Sequence, residues 1–266
     1  MKIITEPSVY LLGKQTVVPA ELTRFLGDHG VDWNSDSEEP AEILTETAGR
    51  LCYFSFEKPR PGGNSVYLNH IKEVGHGSVL EHGVWNLLFT GVSRSLTHEL
   101  VRHRAGMGYS QLSQRYVDES VAEYICPDII NNDPELYQIW QKAVEHSHAS
   151  YIKLADRLSA KLYANEPTRM NLTSTERRKA ARQAARSVLP NATETKIFVT
   201  ANARALRHFL EQRGAAAAEP EIRKLANKVL DVLQKESPNL FGDYKKVLLP
   251  DGTFEITTEY KKVILS

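Results

Sequence analysis

Apolar positions recur along the chain in two periods, near 3.6 and near 2, and the change from one to the other marks most of its elements. Val9 to Leu12 fits a short strand, while Pro19 to Leu26 and Pro40 to Tyr53 carry helical spacing with a proline near each start. Lys58 to Asn64, with two prolines and two glycines, has the composition of a loop. Ser65 is placed to cap a short helix through Glu73 that ends at Gly75-His76-Gly77-Ser78. Val84 to Val92 is apolar and β-branched enough for a buried strand, and Ser93 stands as the N-cap of the helix after it, with Leu96, Leu100 and Val101 at near-helical spacing. That helix is expected to carry Arg102-His103-Arg104 to the edge of Ala105-Gly106-Met107-Gly108, whose glycines break it and let the backbone approach a ligand.

Beyond this point the pattern is mainly helical. Asp133-Pro134 starts a long helix from Glu135 to about Tyr163, and Thr175 to Ser187 is a basic helix that stops near Leu189-Pro190. Thr195 to Ala201 suits a strand, Ala203 to Gln212 and Glu221 to Lys235 are helices, and Asp251-Gly252 between two apolar-polar runs signals a terminal hairpin. This order predicts an α+β fold with helices predominating. No linker-like tract divides the 266 residues, so residues 1–266 are expected to form a single domain.

Composition narrows the function by exclusion. Lys+Arg and Asp+Glu both number 33, so no global field draws the chain to nucleic acid or an anionic membrane, and any anion site must be local. Cys52 and Cys126 form neither a CxxC pair nor a zinc spacing; both are expected to be buried hydrophobes, and no metal is expected. His76, Glu81 and His82 make a ligand-like list but lack an HExxH spacing. Met1 to Pro7 has no long apolar run and no segment approaches the length of a membrane span, so a cytoplasmic location is expected. Neither GxGxxG nor GxxxxGK[ST] occurs, which argues against a Rossmann site and a P-loop.

The local chemistry centres on arginine. Alone, Arg102-His103-Arg104 reads better as a solvated basic helix end; with Ser113 and Arg115 close behind, it brings together guanidinium forks and a hydroxyl that match phosphate oxygens, and the two readings stand level. A second cluster holds Arg182, Arg186, Asn202, Arg204, Arg207, His208 and Arg213. Arg204 and His208 share a helix face, whereas Arg207 is expected in solvent beside Glu211. His146 and His148 read as surface residues. Ser113 lacks a GxSxG elbow and a base, so hydrogen bonding is its expected role.

Arg102-His103-Arg104 with Ser113-Gln114-Arg115-Tyr116 resembles the signature of the flavin-dependent thymidylate synthases, the ThyX family. Gly75-His76-Gly77-Ser78 with Glu81-His82, Ser93-Arg94-Ser95 with His98-Glu99-Leu100-Val101, and Arg186-Ser187-Val188-Leu189-Pro190 with Asn202-Ala203-Arg204 resemble further family blocks, in order, across most of residues 48 to 225. The resemblance implies a ThyX-like fold, helix-rich with a central, mainly antiparallel sheet, assembled as a homotetramer whose subunits share active sites. It implies an FAD enzyme that methylates dUMP at C5 to dTMP, with methylenetetrahydrofolate as carbon donor and NADPH as reductant. Reduced flavin would deliver the hydride to the pyrimidine, so no enzymic nucleophile is needed.

Matched by position, Ser78, Glu81, Arg102, His103, Arg104, Asn202, Arg204 and His208 would hold FAD. Arg94, Glu99, Gln111, Ser113, Arg115, Arg186 and Arg213 would hold the nucleotide. Arg213 would also polarise the pyrimidine carbonyls, stabilising the charge that develops on methylation, and His76 would help position folate and flavin. Two departures stand out. The eight residues Ala105 to Leu112 exceed the family spacing by one, and Gly214 to Ala218 lacks a histidine the family often has in the flavin site. A looser pocket makes a C5-methylase of UMP or another uridine nucleotide the alternative. A non-catalytic nucleotide- or RNA-binding protein is the alternative of another class, and the neutral charge balance disfavours RNA.

Overall fold

The computed structural model describes residues 2–58, 61–164 and 173–260, leaving Pro59 and Arg60 of the expected loop outside. The strands are β1 (Lys2–Ile4), β2 (Ser8–Lys14), β3 (Val84–Ser93), β4 (Met107–Gln111), β5 (Glu123–Ile125), β6 (Glu194–Asn202), β7 (Lys245–Leu248) and β8 (Phe254–Thr257). The helices are α1 (Pro19–Asp28), α2 (Pro40–Tyr53), α3 (Gly63–Val74), α4 (Arg94–Leu100), α5 (Asp128–Asn131), α6 (Pro134–Ala164), α7 (Ser174–Ala185), α8 (Ala203–Arg213), α9 (Pro220–Glu236) and α10 (Pro238–Phe241). Helices outweigh strands, as the α+β reading expects. The main sheet has the order β2-β3-β6-β4. Strands β4 and β6 run antiparallel: Asn202 N–H donates to Gly106 O at one end and Leu112 N–H to Lys196 O at the other, 3.1 and 2.9 Å.

Contacts gather the chain into two compact units, Met1–Pro7, Thr90–Leu100 and Ser110–Ile197 in the first, Ser8–Phe89, Val101–Tyr109 and Phe198–Ser266 in the second. In the first, α6 lies along α7, with Val144, Tyr151, Ala181 and Ala185 buried. Asp133 starts α6 by accepting the Glu135 and Leu136 N–H groups at 2.9 and 3.1 Å, and a Thr173–Glu176 capping box starts α7. Ser93 caps α4 as expected, its Oγ accepting the Leu96 N–H at 3.0 Å. Parallel pairing of β1 with β5 is a feature the sequence reading missed, because three-residue strands are too short to show a period. His146 is exposed as expected, but His148 is half-buried, its Nδ1 2.8 Å from the Tyr124 hydroxyl.

The second unit is built around α9, whose Leu225, Val229, Leu230 and Leu233 are buried and whose neighbours include α8, β2 and β8. Each such side chain contributes about 1.5–3 kcal/mol on burial. Asn202 caps α8, its Oδ1 accepting the Ala205 N–H at 2.9 Å. The terminal hairpin forms as expected, with β7 antiparallel to β8, and Ile256 N–H donates to Gly214 O at 2.8 Å just past the end of α8.

Four local expectations are corrected. Helix α3 begins at Gly63, with Gly62 as cap at φ 96°, so Ser65 lies inside it; the Asp36 carboxylate accepts the Asn64 N–H at 2.7 Å and does the work Ser65 was expected to do. Helix α4 stops at Leu100, which puts Arg102-His103-Arg104 in the turn beyond it. Cys52 is exposed, while Cys126 is buried. Arg207 is 1% exposed, makes two bonds to Asp243 at 2.7 and 2.8 Å, and lies over the Tyr244 ring at 4.4 Å. Lys72 Nζ joins the same carboxylate at 2.9 Å. Burial alone would raise the Asp243 pKa; the Arg207 hydrogen bonds and charge, with Lys72 and Thr258, hold it far below the usual carboxylate range.

Candidate active site

In the second unit the turn after α4 faces one side of α8. A cavity of about 490 Å³ is lined by Arg102, His103, Arg104, Ala105, Ala205, His208, Gln212 and Arg213. A second, of about 410 Å³, shares Ala105, Ala205 and His208 with it and adds Glu81, Gly106, Asn202, Arg204 and Arg207. The structure thus brings together seven of the eight residues assigned to the flavin, with Ser78 outside the lining of both cavities. His76 is also outside, exposed and stacked on Tyr53 with ring centroids 6.4 Å apart.

The sequence folds this way for local reasons. The cap at Asn202 sets the phase of α8, so Arg204 and His208, four residues apart, face the cavity while Arg207 turns into the core. Gly106, at φ 70°, lets the turn reverse against Asn202; a Cβ there would sit 2.6 Å from Asn202 Nδ2. Gly77 admits the Arg204 side chain, since a Cβ would come within 3.0 Å of its Nε. Arg204 Nη1 donates to Glu81 Oε1 at 2.8 Å.

At the other end of α8, Arg213 Nε donates to His103 Nε2 at 3.0 Å. Burial, then the charges of Arg213 and His208, lowers the His103 pKa to about 4, so the ring is neutral and accepts at Nε2. Burial and Arg213 lower His208 as well. Tyr109, pushed up to about 12 by burial against the opposing charge of Arg104, donates its hydroxyl to His103 O at 2.7 Å. Past Arg213, buried Arg223 donates to Ala216 O and to Ala218 O at 3.1 Å, to Thr253 Oγ1 at 2.8 Å, and to Asp251. The stretch without the family histidine is therefore held by its backbone.

The expected loop between triplet and serine is mostly strand. Met107 N–H closes the turn on Arg104 O at 3.2 Å, and β4 then pairs with β6, so the longer segment is ordered by a sheet edge.

In the first unit the nucleotide-assigned residues form a second cluster. Arg94 Nη1 reaches Leu112 O and Thr195 Oγ1 at 3.4 and 3.5 Å. Burial lowers its pKa, Glu119 opposes this, and Arg186 adds to it. Gln111 Nε2 donates to Thr97 Oγ1 at 3.0 Å and to Thr195 Oγ1 at 3.4 Å. Ser113 Oγ accepts the Arg115 N–H at 3.3 Å, and Arg115 Nε is buried with no partner. Such an atom marks a place for an acceptor. Glu99, on α4, is half-buried. Arg213, assigned to both roles, lies in the second unit. Thr97, Thr195 and Glu119 were missed by sequence reasoning; their one signal was polarity at buried positions beside apolar ones.

A family model described as "Thymidylate synthase complementing protein" matches residues 35–239. The chain is 49% identical over 238 residues to a flavin-dependent thymidylate synthase of Mycolicibacterium gilvum (strain PYR-GCK), covering 89% of this chain and 92% of that protein. It is 42% identical over 255 residues to one of Corynebacterium diphtheriae, covering 94% and 98%. Among solved structures it is similar to a UMP/dUMP methylase, PolB, from Streptomyces cacaoi bound with 5-Br dUMP. The TM-score is 0.63 at 18% identity over 91% of this chain and 96% of that one, a likeness of fold.

Proposed function

The chain belongs to the flavin-dependent thymidylate synthase family, and on that premise we propose that it methylates dUMP at C5 to dTMP, using FAD, methylenetetrahydrofolate and NADPH. One observation carries the assignment of roles. The cations divide into a cavity around α8 and a separate set of arginines, one of which has a buried nitrogen lacking an acceptor.

The two cavities fit FAD by their donors. Arg102, Arg104 and Arg204 supply guanidinium forks for a diphosphate, Asn202 and Glu81 supply polar edges, and the glycines at 77 and 106 leave the space that the Arg204 and Asn202 side chains occupy. FAD held there would supply the hydride that the pyrimidine receives, with NADPH as the reductant. Ser78 and His208 would complete its site, with His103 at its edge. His76, whose ring stacks on exposed Tyr53, would steady folate against flavin.

Arg94, Arg115 and Arg186 hold the nucleotide phosphate, Ser113 and Gln111 orient it, and Glu99 accepts from the nucleotide. Arg213 places its guanidinium against the pyrimidine carbonyls, where a fixed cation stabilises the charge that C5 needs to attack the one-carbon unit. No thiol is required: Cys126 is buried and its pKa is raised by burial. We further propose that residues 1–266 act as one synthase domain in a cytoplasmic homotetramer whose subunits share active sites; no helix among the described residues is long and apolar enough to cross a membrane.

The test supplies the purified protein with FAD, NADPH and methylenetetrahydrofolate and follows 5-methylated product from dUMP and UMP in parallel. A flavin absorbance band and dTMP formation are expected. Product from UMP alone overturns the substrate, and failure to take up FAD overturns the enzyme reading.

A further inference from the structure

We propose that His103 is a positioning residue for Arg213, its neutral ring accepting the Arg213 Nε–H and fixing the plane of the guanidinium presented to the pyrimidine. The proposal rests on the polarising role given to Arg213 above, and it changes the part played by the middle residue of the basic triplet. By residue type His103 is a third cation beside Arg102 and Arg104. By geometry it is an acceptor.

The contact is 3.0 Å between Arg213 Nε and His103 Nε2, and a guanidinium nitrogen has only a proton to offer. The imidazole must therefore present a lone pair at Nε2 and carry its proton on Nδ1. The ring is braced on several sides. His208 meets it edge-on at 5.5 Å and Phe209 at 5.7 Å, both from α8, while the Tyr109 hydroxyl of β4 donates to its backbone carbonyl at 2.7 Å. Arg213 has a long, flexible stem, so an acceptor fixed in this way removes rotamers that the guanidinium would otherwise sample.

The charged and titratable groups around the ring are Arg213 and His208 from α8, Tyr109 from β4, and Arg102 and Arg104 on its own turn. Among the described residues that line the cavity with the ring, none is a carboxylate. Burial disfavours an imidazolium most, and Arg213 and His208 act in the same direction, which keeps the acceptor neutral through the physiological range.

A double-mutant cycle on the FAD-loaded enzyme tests the role. Assayed at saturating FAD, His103→Leu should lower kcat on the order of tenfold or more, as loss of a hydrogen bond to a charged group does, with the KM for dUMP little changed. In an Arg213→Ala background the same substitution should cost nothing further. His103→Gln, whose amide oxygen can accept the same proton, should recover most of the rate. An equal loss in both backgrounds at saturating FAD overturns the proposal.

A second readout does not depend on turnover. With 13C-labelled histidine, and the resonance assigned by its absence in His103→Gln, His103 should titrate near pH 4 and move upward in Arg213→Ala. An unmoved titration overturns the contact. A moved titration with unchanged turnover in Arg213→Ala supports the contact and overturns the polarising role beneath it.

Discussion

The arginines of α8 and those of the cluster near Arg94 carry the same guanidinium group in opposite states of satisfaction. Around α8, Arg204 is held by Glu81, Arg213 by His103 and Arg207 by two oxygens of Asp243, all at 3.0 Å or less. In the other cluster Arg94 reaches its acceptors only at 3.4 and 3.5 Å, and Arg115 Nε has none. A guanidinium held by protein keeps one geometry, which suits orienting flavin and pyrimidine. A guanidinium lacking an acceptor gains most from an incoming oxyanion, which suits capture of a phosphate.

Removing the strongest internal partner breaks the comparison most severely. Asp243→Ala strands Arg207 and Lys72 in the core, and a loss of about 3–5 kcal/mol is expected in urea unfolding. The sign with pH follows from the lowered Asp243 pKa. Its contribution is complete above the ordinary carboxylate value and is lost as pH falls toward the folded-state value, so the variant should show a flatter acid limb. An unchanged acid limb would mean that the ion cluster is not what holds this end of α8.

Arg213→Ala comes next. Turnover should fall by about 100- to 1,000-fold, the usual cost of removing a fixed electrostatic donor, while the flavin absorbance of the purified protein stays. Flavin loss instead would merge Arg213 with the cofactor site.

Arg115→Ala probes the unsatisfied cluster. Its dUMP affinity by calorimetry should weaken by about 10- to 100-fold, in line with one charge-assisted hydrogen bond, with FAD binding unaffected. Equal weakening of both ligands would erase the division of labour between the clusters. Ser113→Ala sharpens the same point at smaller scale: about 1 kcal/mol of nucleotide affinity is expected to go, with activity retained. Abolished turnover at normal affinity would make Ser113 a participant in bond making.

Much of this was legible in the chain because it is written locally. The starts of α4 and α6 follow from Ser93 and Asp133, each a side chain within three residues of the amide it caps, whereas the Thr173 cap of α7 was not read and that helix was expected to start at Thr175. The resemblance carried by Arg102-His103-Arg104 and its companions named residues that do line the two cavities beside α8, where Arg204 and His208 share a face because they stand one helical repeat apart. The start of α3 was missed because the Asp36 carboxylate that serves it lies 28 residues away.

The sequence by itself determined the periods, most caps, the basic triplet and the order of blocks that mark the family, all properties of neighbours in the chain. Only the tertiary structure decided what each cation became. Arg207 was expected in solvent and is buried on Asp243, 36 residues away; His103 reads as a cation and is neutral against Arg213, 110 residues away. Charge state and partnership are set by burial and by the groups that folding brings near, and those distances are not written in the local pattern.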